Sequence, residues 1–513
     1  MTAPSEKGQT ENKNLTQDAT FPSTQNKTEI REESLSSIVD EIAEELSGII
    51  FHGDNLTPSF VSINAISIFL KRIPVKTVIG DEGKAVGLFF YDGGVYRKGE
   101  DDIKAMYYQV MEKIGLLEKV RSYTPYVRDF IAQLSGKTAT RETPASHLVL
   151  YKDRLFDWRR FIYQDELYLT IPSPDYFVLH RVPWSLDVDV LTRNRDRTYE
   201  EVLKEFYDET VVSRIFEQWT NGQWPVLLEI IGYCLLSGDY PLNKAIMLVD
   251  KEGREGRNGK STFLSLLESL LGHENVSHIS LQDLTHDDVR FMRWNLYGKM
   301  ANIYADLPTK ALKETGHFKA LTGEDYITAD VKHKAPVTFK NYAKLIFSTN
   351  QLPHVSDWTD AFWRRWIVVE FPNRFEDNPG FSKMLRNELL PKEAGKILSY
   401  SLLAIKHVII MGKFSFQEEE GSYREKWLRK ANSVYAFLRS GEEQGFLEFG
   451  SDKREESKSL YSAYQRWCDE EEREIVSPKK FTEELEKFGY PKRTIGGDRY
   501  YIGLSLKRKG ILI

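Results

Sequence analysis

The chain contains very little cysteine, only Cys234 and Cys468 among 513 residues. Two thiols are too few for a disulfide framework or for a zinc site built mainly from cysteine. The sequence therefore excludes small disulfide-stabilised secreted domains and zinc ribbons. It favours a reducing, intracellular setting.

Long apolar runs are also missing. A membrane-spanning helix needs roughly 18 to 20 apolar residues in succession, and the nearest candidate, Trp224 to Leu236, is shorter and contains Glu229. The N-terminus has no basic start followed by an apolar stretch, so we predict no secretory signal. We expect a soluble, cytoplasmic protein with no membrane partner.

The sequence lacks an excess of charge of one sign. It has 70 lysines and arginines against 76 aspartates and glutamates, which gives a net charge of −6. Nucleic-acid binding through the overall field is therefore excluded, and such binding has to come from local basic surfaces. With 41% hydrophobic residues, a chain of this length is predicted to form about three packed domains.

The most informative segment present is 242–271, where an apolar strand, a glycine-rich turn and an amphipathic helix follow one another. This order is typical of a nucleotide phosphate site, because backbone N–H groups and the helix N-terminus point at the same anion. Lys260 is expected to neutralise the β- and γ-phosphates, and Ser261 to bind Mg²⁺. The first glycine is Gly253, one residue earlier than the usual spacing, so we predict a slightly longer turn. The predicted nucleotide-binding residues are Gly256, Arg257, Asn258, Gly259, Lys260, Ser261 and Thr262.

Polar residues follow two apolar runs further along the chain. Asp306 ends the first run and can hold Mg²⁺, whereas Asn350 ends the second and can orient a water molecule near the γ-phosphate. Arg364 and Arg365 come next, and such an arginine can stabilise transition-state charge on the nucleotide of a neighbouring subunit. Each residue taken alone also fits a turn, a cap or an ion pair, so the functional interpretation depends on their order.

A basic turn lies between these two runs. Two strand-like segments flank Lys332, His333 and Lys334, and a hairpin of this kind could follow a phosphate backbone inside a channel. The alternative is an exposed, solvated turn.

These elements, in this order, resemble the superfamily III helicases, most closely the phage, plasmid and poxvirus primase-helicase family, over about residues 140 to 510. The most specific matches are Gly256 to Thr262, Phe318 to Gly323, Phe347 to Asn350 and Phe362 to Arg365. The resemblance implies an α/β fold with a P-loop AAA+ ATPase core that uses ATP and Mg²⁺. It assigns Asp306 to the Walker B carboxylate, Asn350 to sensor 1, Arg364 or Arg365 to the arginine finger, and Lys332 and His333 to the DNA-contacting hairpin.

Members of this family form hexameric rings that move along single-stranded DNA. The resemblance therefore implies an ATP-dependent replicative DNA helicase of a virus or plasmid, a homo-hexamer acting on single-stranded and forked DNA, with a separate primase or polymerase as a further partner. The alternative is an origin-binding initiator or loader that remodels duplex DNA without processive unwinding. A single Asp follows Ala305 where the family often has Glu or paired acids, so the general base stays open among Asp306, Glu252, Glu324 and Asp325.

The expected organisation has six parts. They are a disordered tail (1–34), an α+β N-terminal accessory module (35–140), a region that is mostly helical at its end (141–238), the ATPase core (239–385), a helical connector (386–430) and a winged-helix DNA-binding domain (431–513).

The last part is predicted to contain three helices and a two-stranded wing. Ser477 and Pro478 are predicted to start its last helix as cap and first helical residue. From Ser477 onward there are nine basic and four acidic residues, which favours duplex contact through Lys492, Arg493 and Arg499. A wing used only for protein contact is the alternative.

Overall fold

The computed structural model describes residues 35–50, 57–79, 85–116, 124–251, 256–308, 312, 315–323, 325–330, 336–350, 352–353, 355, 359–376, 378, 380–416 and 420–507. Several predicted features lie outside the described residues: the tail 1–34, the early glycine Gly253, the hairpin tip Lys332 to Lys334, and the candidate bases Glu252 and Glu324.

The N-terminal module combines helices with a small sheet. Its elements are α1 (Leu35–Ile50), α2 (Pro58–Arg72), β1 (Val75–Ile79), β2 (Ala85–Asp92), β3 (Val95–Lys98), α3 (Glu100–Lys113), α4 (Thr124–Lys137) and β4 (Ala139–Thr140). The sheet order is β3-β2-β1-β4. The sequence predicts two strands here, Val86 to Tyr91 and Val95 to Arg97, joined by a turn at Gly93 and Gly94. Both are confirmed: β2 and β3 pair antiparallel, and the two glycines adopt φ of +57° and +94° between them.

The next region leads from short strands into helices. It contains β5 (Leu148–Tyr151), β6 (Arg154–Asp157), α5 (Trp158–Tyr163), β7 (Leu169–Thr170), β8 (Arg181–Val182), α6 (Val188–Arg193), α7 (Tyr199–Glu209), α8 (Val211–Thr220) and α9 (Pro225–Leu235). A buried carboxylate holds α8 in place, because Glu393 accepts the backbone N–H groups of Val211 and Val212 at 2.9 and 3.1 Å. These amides at the helix N-terminus have no partner within the helix itself.

A five-stranded parallel sheet forms the centre of the protein. It is built from β9 (Ala245–Asp250), α10 (Lys260–Leu271), β10 (Val276–Ser277), α11 (Leu281–Thr285), α12 (Arg290–Arg293), β11 (Ala301–Tyr304), α13 (Gly316–Leu321), β12 (Tyr326–Ala329), β13 (Val337–Lys340), β14 (Lys344–Thr349), α14 (Asp360–Trp363) and β15 (Trp366–Phe371), with β12 and β13 forming a separate antiparallel hairpin.

The strand order in this sheet is β10-β11-β14-β9-β15, and all neighbours are parallel. Every residue of β9 is buried. Its alternate residues enter two different cores, since Ile246 and Leu248 pack on one face and Met247 and Val249 on the other. Layers of structure cover both faces, which is why the strand reads as a continuous apolar run.

The rest of the chain is mainly helical and ends in a three-stranded sheet. Its elements are α15 (Phe381–Met384), a π-helical turn (Leu385–Leu389), α16 (Leu390–Met411), α17 (Glu420–Ala431), α18 (Ser433–Glu443), β16 (Leu447–Glu456), α19 (Ser457–Glu470), α20 (Pro478–Lys487), β17 (Lys492–Ile495) and β18 (Asp498–Leu506), with the sheet order β16-β18-β17.

The prediction of three helices followed by a two-stranded wing was incomplete for this C-terminal unit. Strand β16 lies between its first two helices and pairs with β18 across a bulge at Phe449 and Arg454. Six of the ten residues of this strand are charged, so it shows no alternation of apolar and polar residues. The predicted start of α20 is confirmed, since Ser477 accepts the Lys480 N–H at 3.3 Å and Pro478 is the first helical residue.

The continuous helical segment Phe381–Met411 is long and apolar enough to cross a membrane by length and composition alone, and 61% of its apolar window is buried within the protein. Most of this segment was predicted as part of the helical connector, but not as a long apolar run, because charged residues such as Lys396 and Lys406 interrupt it. It contributes Ile397, Leu398 and Leu402 to the main hydrophobic core. The segment is therefore buried in the way that a core helix of a folded protein is.

Buried charges join the helices to the central sheet. The Lys344 ammonium donates to the carbonyls of Leu236, Asp239 and Tyr342 and so completes the C-terminus of α9. Burial lowers the pKa of Lys344 to about 7. On the far side of α9, Glu229 accepts from the Tyr199 hydroxyl at 2.6 Å and the Ser415 N–H at 2.9 Å, and burial raises its pKa to about 6.

A buried histidine links the short strands to the sheet. His180 contacts Asn275 Oδ1 through Nδ1 at 3.1 Å and the Tyr342 hydroxyl through Nε2 at 2.9 Å. Desolvation lowers its pKa to about 4. The folded protein therefore binds a proton at this site more weakly than the unfolded chain, whose histidines titrate near pH 6.5.

We predict that His180 makes the protein less stable in acid. Above pH 6.5 the side chain is neutral in both states and contributes no pH dependence. As the pH falls from about 6.5 to 4, only the unfolded chain gains the proton, so stability drops by about 1.4 kcal/mol per pH unit. His180→Gln should remove this component, as measured by thermal unfolding at pH 7.5, 6.5 and 5.5. The exposed His286→Gln is the control and should follow the wild type. A His180→Gln profile parallel to that of the wild type would contradict the prediction.

Candidate nucleotide-binding site

The glycine-rich turn connects β9 to the start of α10. Gly256, Arg257 and Gly259 have φ of +75°, +52° and +99°, a left-handed backbone that suits glycine best. Gly259 lies directly before the helix, and a Cβ added there would be 2.4 Å from the indole nitrogen of Trp219. A side chain at this position is therefore excluded by the backbone and by packing alike.

Lys260 is the first residue of α10 and is buried. Its ammonium pairs with the Asp250 carboxylate and donates to Asn350 Oδ1 at 3.3 Å. Burial lowers the pKa of Lys260 to about 8, while the charge of Asp306 opposes the shift. The amine is thus a desolvated cation next to three polar groups from three different strand ends.

Those strand ends meet because the strands are parallel. Asn350 follows β14, which lies between β9 and β11. Asp306 lies two residues beyond β11 with φ of +53°, and its N–H contacts Ser348 Oγ at 3.4 Å. The structure therefore brings Lys260, Asp306 and Asn350 to the same edge of the sheet, with Asp306 and Asn350 exposed.

Asp250, the last residue of β9, was not among the predicted site residues. Its carboxylate, which is 3% exposed, accepts from the Gly256 N–H at 3.0 Å and from the Asn258 amide in addition to Lys260. Asp250 thus organises the turn from inside. An acidic residue at the end of an otherwise apolar strand, just before the glycines, was the available signal.

The remaining loop residues differ in exposure. Ser261, on the first turn of α10, is exposed, and Thr262 is half-buried. Arg257 is exposed, and its carbonyl accepts the Phe375 N–H at 2.9 Å. The backbone of the turn is therefore connected to the segment after β15, while the Ser261 hydroxyl can reach a ligand at the helix N-terminus.

Arg364 and Arg365 lie at the opposite edge of the sheet. They directly precede β15, whose first residue pairs with Ala245 at the start of β9, whereas the turn follows the far end of β9. The length of β9 separates the two edges by about 17 Å. Arg364 is exposed. Arg365 is half-buried, donates to the Ala361 carbonyl, and has its pKa lowered by burial and by the charge of Arg364.

A cleft of about 770 Å³ adjoins the site between the parallel sheet and the C-terminal unit. Lys430 lies at its wall, contacts the Asp250 carbonyl at 3.5 Å and pairs with Glu370 at 3.5 Å. The C-terminal unit contributes Arg473 and Lys480 to the same cleft. Acidic residues of the C-terminal unit line the cleft as well, so its charge is mixed; they are Glu471, Glu472, Glu474 and Glu484.

The predicted DNA-contacting residues lie elsewhere. Arg493 and Arg499 are exposed on β17 and β18, whereas Lys492 is half-buried and lies 5.3 Å from the centre of the Tyr501 ring. Of these three residues, the two arginines are exposed. The strands predicted to flank Lys332, His333 and Lys334 are present as β12 and β13, and the tip itself lies outside the described residues.

Comparisons with known proteins give partial matches. The profile of a family of unknown function, DUF5906, matches residues 252–365, which include Lys260, Asp306, Asn350 and both arginines. A protein of Acanthamoeba polyphaga mimivirus, "Putative helicase L207/L206", is 37% identical over 78 residues, or 15% of this chain and 8% of the viral protein.

Two solved structures resemble the chain more loosely. The C-terminal region of NrS-1 has a TM-score of 0.39 at 13% identity and covers 85% of this chain and 98% of its own. A JCV helicase structure with a bound small molecule has a TM-score of 0.26 at 11% identity and covers 80% and 98%. TM-scores this low do not establish a shared fold.

We predict that Gly259→Ala damages the turn more than Gly256→Ala. Both substitutions force alanine into a left-handed backbone, which costs about 1 kcal/mol. Only the Gly259 variant also collides with Trp219, since no described residue lies within 4 Å of a Cβ at Gly256. Thermal unfolding should show a larger loss for Gly259→Ala, by a further 1 to 3 kcal/mol or so. Equal losses would mean that the contact with Trp219 does not restrict the turn.

Proposed function

We propose that the chain is an ATP-dependent helicase that assembles as a hexameric ring and unwinds DNA during replication. The observation that carries the proposal is the convergence of Lys260, Asp306 and Asn350 at one edge of the parallel sheet. A desolvated cation, a carboxylate and an amide are the groups that phosphoryl transfer to water needs. The partial match to a viral protein named as a helicase supports the same class.

ATP and Mg²⁺ are the ligands that this donor set fits. The turn and the N-terminus of α10 would hold the phosphates, with Lys260 on the β- and γ-phosphate oxygens. Ser261 and Asp306 would hold Mg²⁺, an ion that prefers oxygen ligands. Asn350 would orient the attacking water, and Asp306 is available as the base. Asp325, the other described candidate, lies close enough to Arg365 for their charges to interact and so belongs to the opposite edge of the sheet. Because Lys260 is paired with Asp250, nucleotide binding requires the ammonium to share or exchange that partner.

The strand order β10-β11-β14-β9-β15 supports a P-loop core of AAA+ type, because one strand separates the loop strand from the strand that precedes Asp306. The order of elements in the C-terminal unit supports a winged-helix fold for that unit. Its order of helix, strand, two helices and two strands leaves Arg493 and Arg499 exposed at the wing for phosphate contacts.

The position of the arginine pair supports a ring. About 17 Å of strand separates Arg364 from the glycine turn of its own chain, so it can complete only a neighbour's site. Arg364 is the better candidate for this role because Arg365 is turned onto its own helix. A head-to-tail contact repeated around a closed ring would place one such arginine at each nucleotide.

We predict that Lys260→Ala lowers ATP turnover by about 100-fold or more, because one fixed cation next to the phosphates is lost. The substitution also leaves the buried Asp250 carboxylate without its cation, so the double variant Lys260→Ala/Asp250→Asn is included to preserve the fold. Both variants should be inactive, and the double variant should recover thermal stability. Lys251→Ala, at an exposed position beside the turn, should hydrolyse ATP normally. Near-normal turnover in a folded Lys260→Ala protein would refute the nucleotide site.

We predict that two inactive proteins restore each other's activity. Lys260→Ala lacks the phosphate cation and Arg364→Ala lacks the arginine finger, so subunit exchange creates some interfaces that carry both. ATP hydrolysis in the mixture should exceed that of either parent and fall on dilution. Arg365→Ala alone should remain active. Native mass spectrometry should detect the mixed hexamers. If they form but do not hydrolyse ATP, Arg364 does not act in a neighbour's site.

Unwinding is tested with a strand-displacement assay on tailed, forked DNA. The wild type should displace the strand only with ATP and Mg²⁺, and Lys260→Ala should not. ATP-dependent binding of blunt duplex without displacement would instead identify an initiator or loader.

A further inference from the structure

We propose that Glu268, His273 and His278 form a binding site for Zn²⁺ or a similar divalent transition-metal ion. The three residues lie at the C-terminal end of α10 and just beyond β10, away from the glycine turn at the other end of the helix. One nitrogen or oxygen atom from each lies within 4.8 Å of the other two. The proposal does not depend on the ATPase function.

The backbone brings the two histidines back to the helix. Gly272 ends α10 with φ of +87°, and His273 follows it in a short 3₁₀ turn. His273 Nδ1 then lies 2.6 Å from Glu268 Oε1. His278, one residue past β10, lies 3.3 Å from the same oxygen through Nε2, and the two imidazole rings are 5.8 Å apart.

The hydrogen bonding of His278 leaves a lone pair directed at the carboxylate. Nδ1 lies 2.9 Å from the Ile303 carbonyl, which only accepts hydrogen bonds, so this nitrogen carries the proton in the neutral ring. Nε2 therefore presents a lone pair to Glu268 Oε1, which is also an acceptor. Either a second proton on the ring, which makes an ion pair, or a metal ion between the two atoms satisfies both. Metal-ligating histidines commonly have this arrangement, with the second nitrogen held by a carbonyl.

The distances suit a tetrahedral ion. Zn²⁺ binds histidine nitrogen and carboxylate oxygen at about 2.0 to 2.2 Å, which places tetrahedral ligand atoms roughly 3.3 to 3.5 Å apart. The pair of His278 and Glu268 already has this separation. His273 has to turn outward by less than an ångström or so, and its side chain is 82% exposed. Water would fill the fourth position.

Two histidines and one carboxylate favour Zn²⁺ over Mg²⁺, which prefers oxygen ligands. Bound metal would join the end of α10 to β10 and, through Ile303, to β11, the strand that precedes Asp306. The site would thus fasten the C-terminal end of α10, the helix that begins at Lys260, to β11, three residues before Asp306.

The proposal is tested by isothermal titration calorimetry. The whole 513-residue chain is treated with EDTA and then titrated with Zn²⁺ alone, without nucleotide. We expect one saturable site in the wild type, and a loss of at least about ten-fold in affinity in His273→Ala and in His278→Ala. Co²⁺ bound to the wild type should give the visible absorption of a tetrahedral site, and this signal should be lost in both variants. Zn²⁺ should also raise the unfolding temperature of the wild type alone.

The matched control is His317→Ala. His317 pairs with Asp287 at 2.7 Å, and the pair belongs to no three-ligand cluster among the described residues. This variant should bind Zn²⁺ like the wild type. His273 is so exposed that its replacement should leave the fold intact, so the test stands even if His278→Ala unfolds. The proposal is overturned if the wild type has no saturable site, or if His273→Ala retains its affinity and Co²⁺ spectrum.

Discussion

The candidate site depends on one topological constraint, the insertion of β14 between β9 and β11 in a fully parallel sheet. Parallel strands direct their carboxyl ends to a common edge, so residues far apart in sequence are forced together there. Asp250, Asp306 and Asn350 each follow or end one of these strands. Lys260 then enters from the helix that β9 leads into, and its charge is shared among them.

Buried polar groups hold the surrounding layers to this sheet. Lys344 joins the sheet to the end of α9, Glu229 joins α9 to the segment after α16, and Glu393 joins α16 to the start of α8. Each charge is met by carbonyls, amides or a hydroxyl, as burial requires. One hydrophobic core consequently runs from Val149 to Phe414 and includes three of the parts that the sequence suggested separately. Their division remains a prediction.

The two ends of the chain are attached in different ways. The N-terminal module contacts the rest through Tyr96, whose N–H bonds to the Val178 carbonyl at 2.7 Å, and through an ion pair of Arg97 with Glu274 at 2.7 Å. The C-terminal unit has its own core and borders the cleft beside the glycine turn. A change at the candidate site can reach α17, the helix that leads into the C-terminal unit, because Lys430 of α17 touches the Asp250 carbonyl.

Local sequence alone determined the strand, turn and helix around Lys260, the hairpin at Gly93 and the start of the last helix at Ser477, because glycine, proline and capping residues act over a few positions. The strands that end near Asp306 and Asn350 were equally visible as apolar runs. Only the tertiary structure placed Asp250 against Lys260. It also showed that Arg364 is exposed whereas Arg365 is half-buried. It also revealed the polar strand β16 and the histidine cluster on Glu268. These features arise from strand order and from contacts between distant segments, and such contacts leave no periodic signal in the chain.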